Sequence, residues 1–185
     1  LWEDEVVTAL PQQLALARIR IGRRVGLLTD AFAVESFPVM LLDHLRKKAV
    51  LERGEERTEF LPTVLLQEYE PGSEAPSVRY LAVEQSNSTA VIDDRVIVKL
   101  LRRIENGTHP EAEIGRYLAE HGYRNASPSL GEIRRVAADG EPRTLAVLQG
   151  FIRNQGDGWT WSLAYLARAL EDAAVAATAS GGNGT

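Results

Sequence analysis

The chain reads as an α+β protein in which a five-stranded antiparallel sheet carries one packed helix, and three observations predict this. Residues 91–101 place two aliphatic runs on either side of Asp93-Asp94, the pattern of a tight hairpin. Asp139-Gly140 sits in the same way between strand-like runs at 131–137 and 143–152. Among the five strands these runs imply, only one helical connection occurs, whereas parallel pairing demands a crossover for each pair.

In order along the chain, Pro11 interrupts any single helix near the start, and residues 14–21 and 24–28 read as strands weakened by Gly22 and Gly26. Residues 35–48 form a helix with Phe37, Leu41, Leu42 and Leu45 on one face, and Arg46, Lys47 and Lys48 suit the negative end of its dipole. Residues 54–57 are a charged turn, and 58–70 read as a strand pair or as one long strand split at Pro62. The run PGSEAP at 71–76 is the clearest breaker of the first half. It suggests a boundary between a small sheet-plus-helix unit, residues 1–72, and the main unit, residues 77–160; a surface loop within one sheet is the alternative.

The chemistry concentrates around residues 79–101. Ser86-Asn87-Ser88-Thr89 reads as a short polar loop between two strands, offering backbone N–H groups and hydroxyls of the kind a polyphosphate needs. Lys99, inside the aliphatic run that follows, is the matching cation. Pro110, with acids in the next positions, starts a helix, and His109 is a helix-start residue. Glu113 lies one turn in, with Ile114, Tyr117 and Leu118 at apolar helix spacing. A loop, a strand lysine and a helix glutamate form the nucleotide-binding half of a kinase-like fold, where the lysine holds phosphate and the glutamate holds the lysine. Read blandly, a lone strand lysine is solvated and a first-turn glutamate serves the helix dipole.

Other residues are less specific. Arg102-Arg103 reads first as solvated surface. His44, His109 and His121 are scattered without acids at matching spacing, so no metal site is expected. Asn154, Gln155 and Asp157 fit a turn, with Asp157 as a helix cap, or a place near ribose or sugar hydroxyls; both readings stay open. Trp159 and Trp161 read as packing anchors rather than a sugar platform. Residues 162–178 are an alanine-rich helix with Leu163, Leu166 and Leu170 on one side, and SGGNGT at 180–185 reads as a linker.

The net charge of −5 argues against a general nucleic-acid or anionic-membrane binder. Without cysteine the chain has no disulfide and no thiolate metal site. It holds no apolar run of membrane-spanning length and no signal-like segment, so the expectation is a cytoplasmic protein.

Three strings carry a family resemblance: EQSNST at 84–89, VIVKLLRRIENGTHPEAEIGRYL at 96–118, and LAVLQGFIRNQGDGW at 145–159. Together they resemble the maltokinases, bacterial kinases with a eukaryotic-kinase-like fold that phosphorylate maltose at its anomeric position and are often fused behind a trehalose synthase. The resemblance runs from about residue 10 to residue 165. It implies a partial N-terminal cap at 1–72, a kinase-like N-lobe at 77–160, and at 161–185 a helix facing a second lobe, then a flexible tail. It also implies that Lys99 is the ATP-phosphate lysine and Glu113 its ion-pair partner. Gln85, Ser86, Asn87, Ser88 and Thr89 would be the phosphate-covering loop, and Gln149 to Phe151 the hinge beside adenine.

ATP and Mg2+ are the implied cofactors, a disaccharide the substrate, and a trehalose synthase domain, fused or associated, the partner in trehalose and glycogen metabolism. The catalytic aspartate, asparagine and metal-binding aspartate of such kinases lie in the second lobe. No His-x-Asp string or Asp-Phe metal motif occurs here, so the chain is expected to be an N-terminal fragment, inactive alone, with no catalytic or metal residue of its own. A kinase of another sugar or aminosugar, and a non-catalytic regulatory or docking domain of a trehalose synthase, are the two rival readings.

Overall fold

A computed structural model of the chain describes residues 15–69, 75–81, 87–154, 156 and 158–181. It divides into two compact units, Leu1–Phe151 and Ile152–Thr185.

The first unit opens with a hairpin of its own, β1 (Ala15–Ile21) with β2 (Arg24–Thr29). A 3-10 turn at Ala31–Ala33 follows and buries Phe32, then helix α1 (Ser36–Arg46). The remaining strands are β3 (Val50–Arg53), β4 (Glu56–Pro62), β5 (Val78–Tyr80), β6 (Asn87–Ile92), β7 (Val96–Leu101), β8 (Ser129–Val136) and β9 (Pro142–Gly150). Helix α2 (Pro110–Glu120) connects β7 to β8.

The fold is α+β and its strand pairs are antiparallel, but the sheet has seven strands rather than five, in the order β3-β4-β8-β9-β7-β6-β5. The two extra strands come from the region assigned to a separate cap. β4 pairs with β8 from Arg57↔Val136 to Pro62↔Gly131, so strands that precede and follow residues 71–76 in the chain belong to one sheet. At Gly131 a Cβ would lie 2.5 Å from the Leu61 carbonyl oxygen and 2.9 Å from Leu45 Cδ1, so any larger residue would push β4 and α1 off β8. Pro62 ends β4, and a 3-10 turn, Val64–Glu68, takes the place of the second strand expected at 58–70. Thr63 starts that turn by accepting the Leu65 N–H at 3.2 Å.

Side chains alternate faces along a strand. One face of the sheet supplies Phe60, Ala90, Ile92, Val98, Ile133, Ala146 and Leu148 to the main core, which Leu41, Leu42 and Leu45 of α1 complete. These three leucines are all but excluded from solvent, and burying each stabilises the fold by about 1.5–3 kcal/mol. The opposite face carries α2.

The turn at Asp93-Asp94 is the hairpin anticipated, with φ of 51° and 49° at its two residues, as a twisted two-residue turn requires. Its carboxylates also fasten the edge strand. Asp93 Oδ1 accepts the Ser77 N–H at 2.8 Å, and Arg79 Nη2 donates to Asp94 Oδ1 at 2.7 Å.

The second unit is helix α3 (Gly158–Gly181) with its lead-in. Trp161 and Tyr165, one turn apart, stack at 5.6 Å between ring centroids. Asn154 closes a local turn, accepting the Gly156 N–H at 3.1 Å; Gln155 and Asp157 lie outside the described residues. Among the described residues no helix is long and apolar enough to cross a membrane.

Candidate functional site

Register builds the site. Lys99 on β7 stands opposite Thr89 on β6 and Val147 on β9, and Val147 stands opposite Glu132 on β8. Directly paired residues share a face. Thr89, Lys99, Val147 and Glu132 therefore form a row across four strands, on the face that α2 covers.

The lysine meets a glutamate from α2, but it is Glu111 and not Glu113. Lys99 Nζ lies 3.1 Å from Glu111 Oε2 and 3.2 Å from Oε1, both side chains being about a quarter exposed. Glu113 is exposed on the helix surface. The cause is the rotation of the helix. At about 100° per residue, positions 111 and 113 point some 200° apart, so only one of them can address the sheet. Of the large apolar residues expected to face inward, Ile114 and Tyr117 are 57% and 59% exposed and Leu118 is half-buried, while Ala112 and Ala119 are buried. Gly115 sits so close to β8 that a Cβ there would lie 2.9 Å from Ser129 Cβ. The small residues Ala112, Gly115 and Ala119 mark the seated face, and Glu111 borders it together with the half-buried Leu118.

His109 is the N-cap of α2: its Nδ1 accepts the Glu111 N–H at 3.3 Å, and Pro110 follows at the first helical position. The cap thus orders the backbone of the residue that pairs with Lys99. Gln149 is the third member of the cluster, its Nε2 donating to Glu111 Oε1 at 3.2 Å. Glu111 is held from two sides, and the Lys99 ammonium, with three donors, retains hydrogen-bonding capacity beyond what this carboxylate consumes.

The polar residues expected in a loop are placed differently. Asn87, Ser88 and Thr89 are the first residues of β6, and Gln85 and Ser86 lie outside the described residues. By register, Asn87 and Thr89 share the face of Lys99, whereas Ser88 points to the other. There Ser88 Oγ accepts from Arg102 Nε at 2.8 Å, and the Arg102 guanidinium also pairs with Asp30 at the end of β2. Burial pushes the Asp30 carboxyl upward, but the hydrogen bonds from Arg102 and the Phe32 N–H, with the arginine charge, outweigh it and hold the pKa below its ordinary value. Arg102 is therefore an internal tie between the hairpin and the sheet; Arg103 is the solvated one, 86% exposed. Phe151 follows β9, its N–H donating to the Arg95 carbonyl at 2.7 Å, with the Arg79 guanidinium 5.4 Å from its ring centroid.

Two further residues were not anticipated. Glu132, with a side chain 5% exposed, accepts from Arg116 Nη1 at 3.2 Å, and its other oxygen lies 3.5 Å from Thr144 Oγ1. Strand alternation puts Glu132 on the α2 face, but its partner is a helix residue no periodicity singles out. Among the described residues no group of three or more His, Cys, Asp or Glu is placed to hold a metal ion.

No family model matches the chain. It is 30% identical over 98 residues to a glucosamine kinase of Mycolicibacterium smegmatis, a match covering 52% of this chain and 24% of that protein. The chain thus spans about a quarter of the length of this relative. A solved glucosamine kinase, in complex with glucosamine, ADP and inorganic phosphate, superposes with a TM-score of 0.48 at 17% identity, covering 78% of this chain and 31% of that one.

Proposed function

We propose that this chain is the nucleotide-holding part of an ATP-dependent kinase of a sugar or aminosugar. The observation that carries the reading is the Lys99 ammonium, fixed on an otherwise aliphatic strand by Glu111, which Gln149 holds in turn. A cation so held suits phosphate oxygens, and the similarity to a glucosamine kinase supplies the chemical class. Asn87 and Thr89 flank the lysine on the same face and are the nearest described polar residues of the strand that leads out of residues 82–86.

In phosphoryl transfer the protein contributes mainly position and charge compensation. Lys99 orients the phosphates and offsets their charge; Glu111 keeps the ammonium in one place, so little reorganisation is needed when transfer occurs. Gln149 belongs to this positioning, beside its expected role next to adenine, and Phe151 keeps the hinge role. The base for the acceptor hydroxyl and the Mg2+ ligands come from a second lobe of the full-length protein. The matched relative favours an aminosugar acceptor; maltose, with the trehalose synthase connection, rests on the motif resemblance.

The test uses the full-length protein containing this chain, with Mg-ATP and either glucosamine or maltose, following ADP release and the phosphorylated product. Lys99→Met should abolish transfer to the accepted sugar while the protein stays folded, with no more than the small loss of stability that the ion pair accounts for. Undiminished turnover would remove Lys99 from the site.

A further inference from the structure

The Lys99 strand does not fix where α2 lies, yet the position of Glu111 depends on it. Two polar tethers seat the helix on the sheet. Midway along, Arg116 Nη1 reaches Glu132 Oε1 at 3.2 Å. At its start, the His109 N–H donates to Thr144 Oγ1 at 2.9 Å. The first ends on Glu132 and the second on Thr144, and the two are joined by a long hydrogen bond in which the Thr144 hydroxyl donates to Glu132 Oε2 at 3.5 Å. Between them, Gly115 lets the helix backbone approach Ser129 without a side chain in the way.

A carboxylate buried to 5% exposure is costly unless charge and hydrogen bonds compensate, and replacing such pairs by apolar residues often leaves stability intact or raises it. Stability alone therefore does not explain the arrangement. We infer that Glu132 is a positioning residue: through Arg116 and Thr144 it sets the rotation and height of α2, and so brings the Glu111 carboxylate to Lys99. The inference rests on the reading of Lys99 as the phosphate-holding residue only for its consequence in nucleotide binding; the geometric coupling stands by itself.

These 185 residues hold three lysines, Lys47, Lys48 and Lys99; 13C-dimethylation, which keeps the charge, labels them together with the N-terminal amine, and Lys99→Arg assigns the Lys99 signal by its loss. Glu111→Gln defines the Lys99 signal with the ion pair lost. Glu132→Gln should move that signal toward the Glu111→Gln position while those of Lys47 and Lys48 stay. If Glu132→Gln fails to fold, Arg116→Met, changed at a residue with a 39% exposed side chain, carries the same expectation. A Lys99 signal unmoved in the folded variant, with only the unfolding temperature lowered, would overturn the inference and leave Glu132 a structural residue.

Titration of Mg-ADP into the full-length protein reads the nucleotide assignment separately. A wild-type Lys99 signal indifferent to Mg-ADP would sink that assignment without touching the coupling between Glu132 and Lys99.

Discussion

Glu111→Gln is the most exacting perturbation of the site, because the neighbouring acid, Glu113, serves as its internal control. The substitution keeps the size of the side chain and one acceptor oxygen but removes the charge that holds Lys99 at 3.1 Å. Both partners are about a quarter exposed, so water screens the pair and its contribution to stability is about 1 kcal/mol or less. For a chain of this size that lowers the unfolding temperature by at most about 2–4 °C. The effect on transfer should be larger, because a drifting ammonium loses contacts made at the transition state. Removing a whole donor from such a site costs about 10²–10³ in rate, so loosening one should cost about 10–100-fold, or about 1.4–2.7 kcal/mol. The assay is steady-state ADP release by the full-length protein, separating kcat from KM. Glu113→Gln, altered at an exposed position, should match wild type. Equal losses in the two variants, or none in Glu111→Gln, would refute the placement of α2.

Gly115→Ala should destabilise the fold by about 1–3 kcal/mol in chemical denaturation, despite the higher helix propensity of alanine, since its Cβ would meet Ser129; a neutral result would mean that α2 is not seated as described. Glu59 bridges β4 and β8. Hydrogen bonds from Arg57 and then Arg134 hold its pKa below the ordinary 4.5, so its stabilisation is complete above about that pH and lost as pH falls through the lowered folded value. Glu59→Gln should flatten the acid limb of stability measured between pH 6 and pH 3, and an unchanged limb would show that the bridge does not titrate with folding. The Tyr80 hydroxyl is buried with no hydrogen-bond partner among the described residues, and burial, with the nearby Glu35 charge, pushes its pKa up to about 12. Tyr80→Phe should be neutral or stabilising by about 1 kcal/mol; a clear loss of stability would reveal a partner for the hydroxyl.

What could be read from the residues was local. The Asp93-Asp94 hairpin, the lysine inside an aliphatic strand and the helix start at His109-Pro110 each depend on a few neighbours, and each is found in place. The partner of Lys99 was not readable, because helix rotation depends on contacts outside the helix, Gly115 against Ser129 and Arg116 with Glu132, and Ile114 and Tyr117 at apolar spacing pointed to the wrong side. Ala112, Gly115 and Ala119 were the available signal: small residues three and four apart mark a close approach. The size of the sheet escaped for a similar reason. β4 joins β8 through pairs such as Glu59↔Arg134, and nothing near Glu59 names so remote a partner.

The strand order imposes a schedule on assembly. β8 and β9, last in chain order among the described strands of this sheet, occupy its middle, with β3 and β4 on one side and β5 to β7 on the other. As the chain is made, the β4 edge stays open until residues 129–136 are available and the β7 edge until residues 142–150 are. Closure is long-range in sequence and therefore slow relative to hairpin formation. Lys99 on β7 belongs to the flank that waits for β9, and its partner Glu111 sits on a helix seated against β8, so the ion pair is complete only when the central strands lock in.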